Sequence, residues 1–295
     1  MTAHNSAIAR PSIAVGGTAL AALGVAIFSL TFPATDWSLT GFGPWTTVTL
    51  RALLATALAG GFLLAGRAPV PERRLWPALA VVALGVIIGF PLLTTLALRT
   101  TRTSHAAVVV GALPLATAAV GSLVARTRHS VAFWAAALAG TAAVVAFTLA
   151  QSHGRATGGD VLLFASLGVC AAGYVAGGRL AATMPGWQVI GWALVGSLPV
   201  TLPGAAVALA VEPVRLGGQA VLGLGYLAAV SQFGGMVVWY RGMATIGIAR
   251  ASQLQLAQPL LTLVWSALLL GEHLSPATAL TALAVLVCVA VTQKA

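Results

Sequence analysis

The sequence predicts an all-α polytopic membrane protein: ten transmembrane helices arranged as two inverted five-helix repeats. Three observations predict it. Of the 295 residues, 59% are hydrophobic and only 7% charged, with a mean hydropathy of +0.98; these values belong to chains solvated by lipid rather than water. Charges, prolines and glycines divide the chain into apolar runs of about 20 residues, the length a helix needs to cross the hydrocarbon core. Weak internal similarity recurs at an offset of about 144 residues.

The first predicted span is 12–31. The residues before it carry a single Arg10, and no Ala-x-Ala cleavage site follows, so it reads as a retained span rather than a signal peptide. Spans 45–66, 76–98, 104–125 and 131–150 complete the first half, with Arg51 about a third of the way into the second span and Pro114 inside the fourth. Spans 160–182, 187–210, 219–240, 247–270 and 275–293 form the second half, with Pro259 inside the ninth. The division is therefore 1–155 and 156–295, two repeats within one membrane domain.

Orientation follows from the excess of Lys and Arg on cytoplasmic loops. With the N-terminus inside, Arg10, Arg67, Arg73, Arg74, Arg126, Arg128, Arg179, Arg241, Arg250 and Lys294 fall in the cytoplasm, against Arg99, Arg102, Arg155 and Arg215 outside. Both termini are thus expected in the cytoplasm of a bacterium, with the chain in its inner membrane. The net charge of +10 is spread singly and in pairs between apolar runs, which excludes the clustered basic face of a nucleic-acid binder.

At the repeat offset, Pro114, Leu115 and Thr117 match Pro259, Leu260 and Thr262, Ser130 matches Ser275, and Leu23-Gly24-Val25 match Leu167-Gly168-Val169. Five spans per copy is an odd number, so the second copy lies upside down relative to the first. Carriers that work by alternating access share this architecture, with their site between the halves near the midplane.

The stretch from Trp239 to Val291 carries Tyr240-Arg241, Ala249-Arg250-Ala251-Ser252, Gln258-Pro259-Leu260, Leu270-Gly271-Glu272 and Leu274. It resembles the second repeat of EamA-type transporters of the drug/metabolite transporter superfamily. Leu96-Ala97-Leu98-Arg99, Ser104, Ala106, Pro114 and Arg51 resemble the first repeat of that family. The sequence departs from the pattern at Thr100, Thr101 and Arg102, where an aromatic is frequent, and at Ala125-Arg126, where the second repeat has Gly271-Glu272. The resemblance implies a ten-span inverted-repeat exporter of metabolites. Within the superfamily the chain looks most like the YddG-type amino-acid exporters, which implies export of amino acids, with neutral and aromatic ones favoured.

Several residues are candidates for substrate contact. In the ninth span Ser252, Gln255, Gln258, Thr262 and Ser266 follow at steps of three and four, along one helical face. Uncharged amides and hydroxyls can hold an ammonium and a carboxylate and still release them; equally, they can hydrogen-bond neighbouring helices and glue a bundle. Gln232, in an eighth span with Ser231, Gly234 and Gly235, offers a further amide. Pro259 and Pro114 are expected to free the carbonyls of Gln255 and Val110 and so to kink or gate their helices. Phe28, Phe90, Tyr174 and Trp192 either wall a cavity or pack in the core, whereas Trp239 and Tyr240 read as an interfacial aromatic belt. Arg51 either meets a substrate carboxylate or snorkels to the outer interface.

Asp36, Glu72, Asp160, Glu212 and Glu272 all fall at loops or span ends. A proton relay is usually an intramembrane carboxylate or His. The pattern therefore favours facilitated diffusion of a net-neutral substrate through an uncharged central cavity; the alternative is proton-coupled export of another metabolite or drug. His105 at the outer end of the fourth span is the one titrating exception, solvated or capping. His4, His105, His129, His153 and His273 are scattered and form no HExxH, and no nucleophile cluster or phosphate loop appears, so neither an enzyme nor a cofactor or metal is expected. Cys170 and Cys288 read as small buried residues. The partners expected are a small-molecule substrate and the lipid bilayer. A monomer suffices, because two five-span halves already enclose a site.

Overall fold

In lipid every backbone N–H and C=O must be satisfied within the chain, and a continuous helix does this locally. The computed structural model describes residues 11–126, 130–151, 157–246, 251, 254–255 and 257–294, and helix is the only regular structure among them. In chain order the α-helices are α1 (Pro11–Ser29), α2 (Thr31–Leu39), α3 (Pro44–Ala65), α4 (Trp76–Val82), α5 (Phe90–Ala97), α6 (Thr103–Val110), α7 (Leu113–Ala125), α8 (Val131–Gln151), α9 (Gly158–Leu180), α10 (Gly186–Val211), α11 (Gly218–Gly225), α12 (Met236–Ile246), α13 (Ala257–Leu270) and α14 (Pro276–Lys294). Two π-helical stretches, Ala83–Gly89 and Tyr226–Gly235, join α4 to α5 and α11 to α12.

Several of these segments run on into one another. Seven helical runs among the described residues are long and apolar enough to cross a bilayer: Gly16–Leu39, Pro44–Ala65, Arg73–Ala97, Thr103–Val124, Gly158–Leu180, Gly186–Val211 and Gly218–Ile246. The first run extends beyond the expected end at residue 31. After a break at Leu30 the helix restarts, and Pro33 falls in the new first turn, where a missing N–H costs nothing. The run through α11 and α12 likewise continues past residue 240 to Ile246.

Local chemistry sets the helix ends. Pro44 opens α3 with its φ already helical. Thr157 and Asp160 form a reciprocal capping box at the start of α9. Gly271, at φ 67°, turns the chain away from the end of α13.

Most of the main helix pairings recur when the two halves are exchanged. At the repeat offset α1 corresponds to α9, α3 to α10, the α4–α5 run to the α11–α12 run, α6–α7 to α13, and α8 to α14. Helix α1 packs on α12, and its counterpart α9 packs on α4 and α5. Helix α1 also packs on α13, and α9 on α7. The pairs α3 with α10, α6 with α13 and α8 with α14 map onto themselves. Both π-helical stretches occupy equivalent places.

Small residues let these helices meet. A Cβ at Gly85 would stand 2.7 Å from the Cα of Gly173, so the third run and α9 touch backbone to backbone. Leucine, valine and phenylalanine cover the outside, as at Phe62, Leu64, Leu202 and Val207. The expected interfacial belt at Trp239 and Tyr240 is overturned: the two are 1% and 0% exposed. Tyr240 sits against Gly177 and Gly186, and Trp239 covers Gly24, because α12 is wedged among α1, α9 and α10.

Candidate substrate cavity

Two adjoining cavities lie where the halves meet. The larger is lined by Phe28, Phe32, Arg51, Phe90, Tyr174, Gln232 and Gln258 among others, and the smaller by Phe32, Pro114, Gln255, Gln258, Pro259 and Thr262. Phe32, Leu113 and Gln258 face both. Side chains from α1, α2, α3, both π-helical runs, α7, α9 and α13 thus converge on one place. The larger cavity has a volume of about 40 Å³. That admits a few waters, so a metabolite enters only when the walls part.

Arg51 is the most unusual of these residues. It is 4% exposed, so it does not snorkel to an interface, and its Nε has no hydrogen-bond partner. The ion pairs among the described residues are Arg74–Glu72 and His105–Asp160, and neither includes it. A buried cation without a counter-ion is costly, and its presence corrects the expectation of an uncharged cavity.

Polar groups without partners line the same two cavities. Gln232 Nε2 donates a long bond of 3.4 Å to the Val86 carbonyl, leaving Oε1 unpartnered. Gln255 Nε2 and Gln258 Oε1 are also buried without partners. An unmade hydrogen bond in a dry interior carries the full desolvation penalty of the group. Together these atoms provide donors at Arg51 and Gln255 and acceptors at Gln232 and Gln258. Thr31 and Ser231 close one wall by a hydroxyl–hydroxyl bond of 2.8 Å between the halves.

Other candidates are placed differently. Thr262 lines the smaller cavity but donates to the carbonyls of Ser29 at 2.8 Å and Gln258 at 3.0 Å, tying α13 to α1. Trp192 is away from both cavities, its ring against Trp76 at 6.3 Å, because its face of α10 turns toward α4. Ser252 lies outside the described residues. The Gln255 carbonyl is not freed by Pro259: the chain tightens, and the N–H of Gln258 bonds it at 3.0 Å. Pro114 sits in the first turn of α7, after a break at Gly111-Ala112, so it starts a helix rather than kinking one.

Phe32, Met236 and Cys170 line the larger cavity without having been expected there. Phe32 has one signal in the sequence, its position just before Pro33, where the first helix breaks. Phe28, Tyr174 and Trp239 form an aromatic cluster at one side, with Trp239 6.1 Å from Phe28 and 6.4 Å from Tyr174. His105, expected solvated or capping, holds Asp160 at 2.8 Å and stacks on Phe147.

Lipid-facing helices around a polar cavity between two related halves define a multi-pass membrane transporter. The chain matches the EamA-like transporter family twice, over residues 15–149 and 157–293, and it belongs to that family. It is 42% identical over 272 residues to a protein of Bacillus subtilis (strain 168) described as "Uncharacterized transporter YdeK", covering 92% of this chain and 95% of that protein. A protein of known crystal structure, 20% identical, superposes with a TM-score of 0.65 over 94% of this chain and 96% of its own, which shows a shared fold.

Proposed function

We propose that this transporter is an alternating-access carrier that exports amino acids, neutral and aromatic ones favoured, across the bacterial inner membrane by facilitated diffusion. The observation that carries this reading is Arg51: a buried cation, unpaired among the described residues, beside amide groups of both polarities. A carboxylate supplies the missing counter-ion in bidentate geometry, and an ammonium answers the open acceptors on Gln232 and Gln258. Phe28, Phe32, Phe90 and Tyr174 suit an apolar or aromatic side chain.

Ten spans in two inverted repeats of five fit the exchange symmetry of the packing, with the boundary between residues 155 and 156. Under the positive-inside pattern both termini are cytoplasmic, and the ends of α10 and α13 face the periplasm. Acids sit at the ends rather than in the cavity, which favours downhill movement over proton coupling.

The test is uptake of labelled neutral amino acids into proteoliposomes, with and without a pH gradient, comparing wild type with Gln258→Ala. Saturable uptake that ignores the gradient and falls in the variant is expected. Gradient-driven uptake would overturn facilitated diffusion, and no uptake across the panel would overturn the amino-acid assignment.

A further inference from the structure

Helices α3 and α6 both begin without a local side-chain cap, although each leaves backbone N–H groups without partners in its first turn. In each case the cap comes from the other half of the chain. Glu212, just beyond α10, accepts from the N–H groups of Trp45 at 3.2 Å and Thr46 at 2.8 Å. Glu272, just beyond α13, accepts from Thr103 at 2.8 Å and Ser104 at 2.9 Å. Each carboxylate is held by two charge-assisted bonds at the positive end of a helix.

The fit at α3 is specific, since a Cβ at Gly43 would overlap the Glu212 carboxylate. Beside it the N–H of Arg215 donates to the Gly41 carbonyl at 2.7 Å. His105 and Asp160 make a third tie between halves, from α6 to α9. All three lie at one end of the molecule: a surface cavity there is shared by Asp36, Arg99 and Glu212, and His105 directly follows Thr103 and Ser104, the residues that Glu272 caps.

The opposite end is built differently. At an offset of 145 the first-half position that matches Glu212 is Arg67, a cation that cannot accept from an N–H. Glu72, the acid described at that end, pairs with Arg74 of its own half at 2.6 Å, exposed to solvent. Among the described residues, the carboxylate caps that cross between the halves all lie at one mouth.

Resting on the carrier reading above, we propose that Glu212 and Glu272 are positioning residues of the transport cycle. They clamp the halves together where α3 and α6 begin, and the cavity opens to that side only when both carboxylates leave the helix N-termini.

The test is thiol labelling of Ser231→Cys, which lines the cavity, in a Cys170→Ala/Cys288→Ala background, with an impermeant maleimide added on the Glu212 side. Glu212→Gln/Glu272→Gln is expected to raise the labelling rate at least tenfold, and Glu72→Gln to leave it unchanged. Unchanged labelling in the double variant, or an equal rise in Glu72→Gln, overturns the clamp. A second measurement pairs Thr40→Cys with Arg215→Cys to cross-link this mouth. Uptake should stop on oxidation and return on reduction, the reduced protein serving as the control for folding. Uptake that survives complete cross-linking refutes the clamp while leaving the carrier intact. Absence of uptake in both redox states would count against the carrier reading, and the labelling experiment would still decide the clamp.

Discussion

Replacing Arg51 with Met should make the protein more stable and less active at once. The side chain is 4% exposed, and no carboxylate pairs with it among the described residues. Exchanging buried ionic groups for well-packed apolar ones of similar volume is often neutral or stabilising by about 1–4 kcal/mol even when the ions are paired. An unpaired guanidinium should fall at the favourable end, so a gain of about 2–4 kcal/mol is expected. For a chain of this size that raises the apparent melting temperature by roughly 4–10 °C. Substrate affinity should move the other way. Two charge-assisted hydrogen bonds to a carboxylate contribute about 1.5–3 kcal/mol each, so losing them weakens binding by about 10²-fold or more. The assays are thermal unfolding in detergent, with and without amino acid, beside uptake into proteoliposomes. Saturating substrate should raise the wild-type melting temperature by linkage and leave that of Arg51→Met unmoved. A variant that unfolds at a lower temperature than wild type would refute the argument, because it would show that Arg51 is satisfied within the protein. Unchanged uptake would refute its role toward a carboxylate.

Further outcomes follow from other contacts. Gln258→Ala removes the unpartnered Oε1 facing both cavities; it should raise the KM for uptake about tenfold while leaving thermal stability within ~1 kcal/mol, read by kinetics and melting side by side. Gly85→Ala pushes a methyl group against the backbone of Gly173; separation of the third run from α9 should cost roughly 1–3 kcal/mol, visible as a lower melting temperature. Trp192→Phe, away from the cavities, should leave the KM unchanged, and a several-fold rise would move Trp192 into the site. Thr262→Val leaves the Ser29 carbonyl without its 2.8 Å donor and should destabilise by about 1 kcal/mol with little change in KM. A large KM effect would instead make this hydroxyl a substrate contact.

The sequence by itself determined that the chain is helical and lies in lipid, because a 59% hydrophobic composition divided into span-length runs leaves few other ways to satisfy the backbone. It also singled out Gln232, Gln255, Gln258 and Arg51 as candidates, since polar groups inside apolar runs must face something other than lipid. Tertiary structure decided what that something is. Periodicity gives the face of a helix and not its neighbour, so Trp192 and Tyr174 read alike until α10 turned one toward Trp76 and α9 turned the other into the cavity. Trp239 and Tyr240, placed near a span end, read as interfacial, but the glycines that receive them lie on distant helices. The carboxylates of Glu212 and Glu272 read as loop acids for the same reason. Their partners are backbone N–H groups some 170 residues away, and every residue except proline presents such a group alike. Only the packing of one half on the other could show which of those groups are left open to a distant side chain.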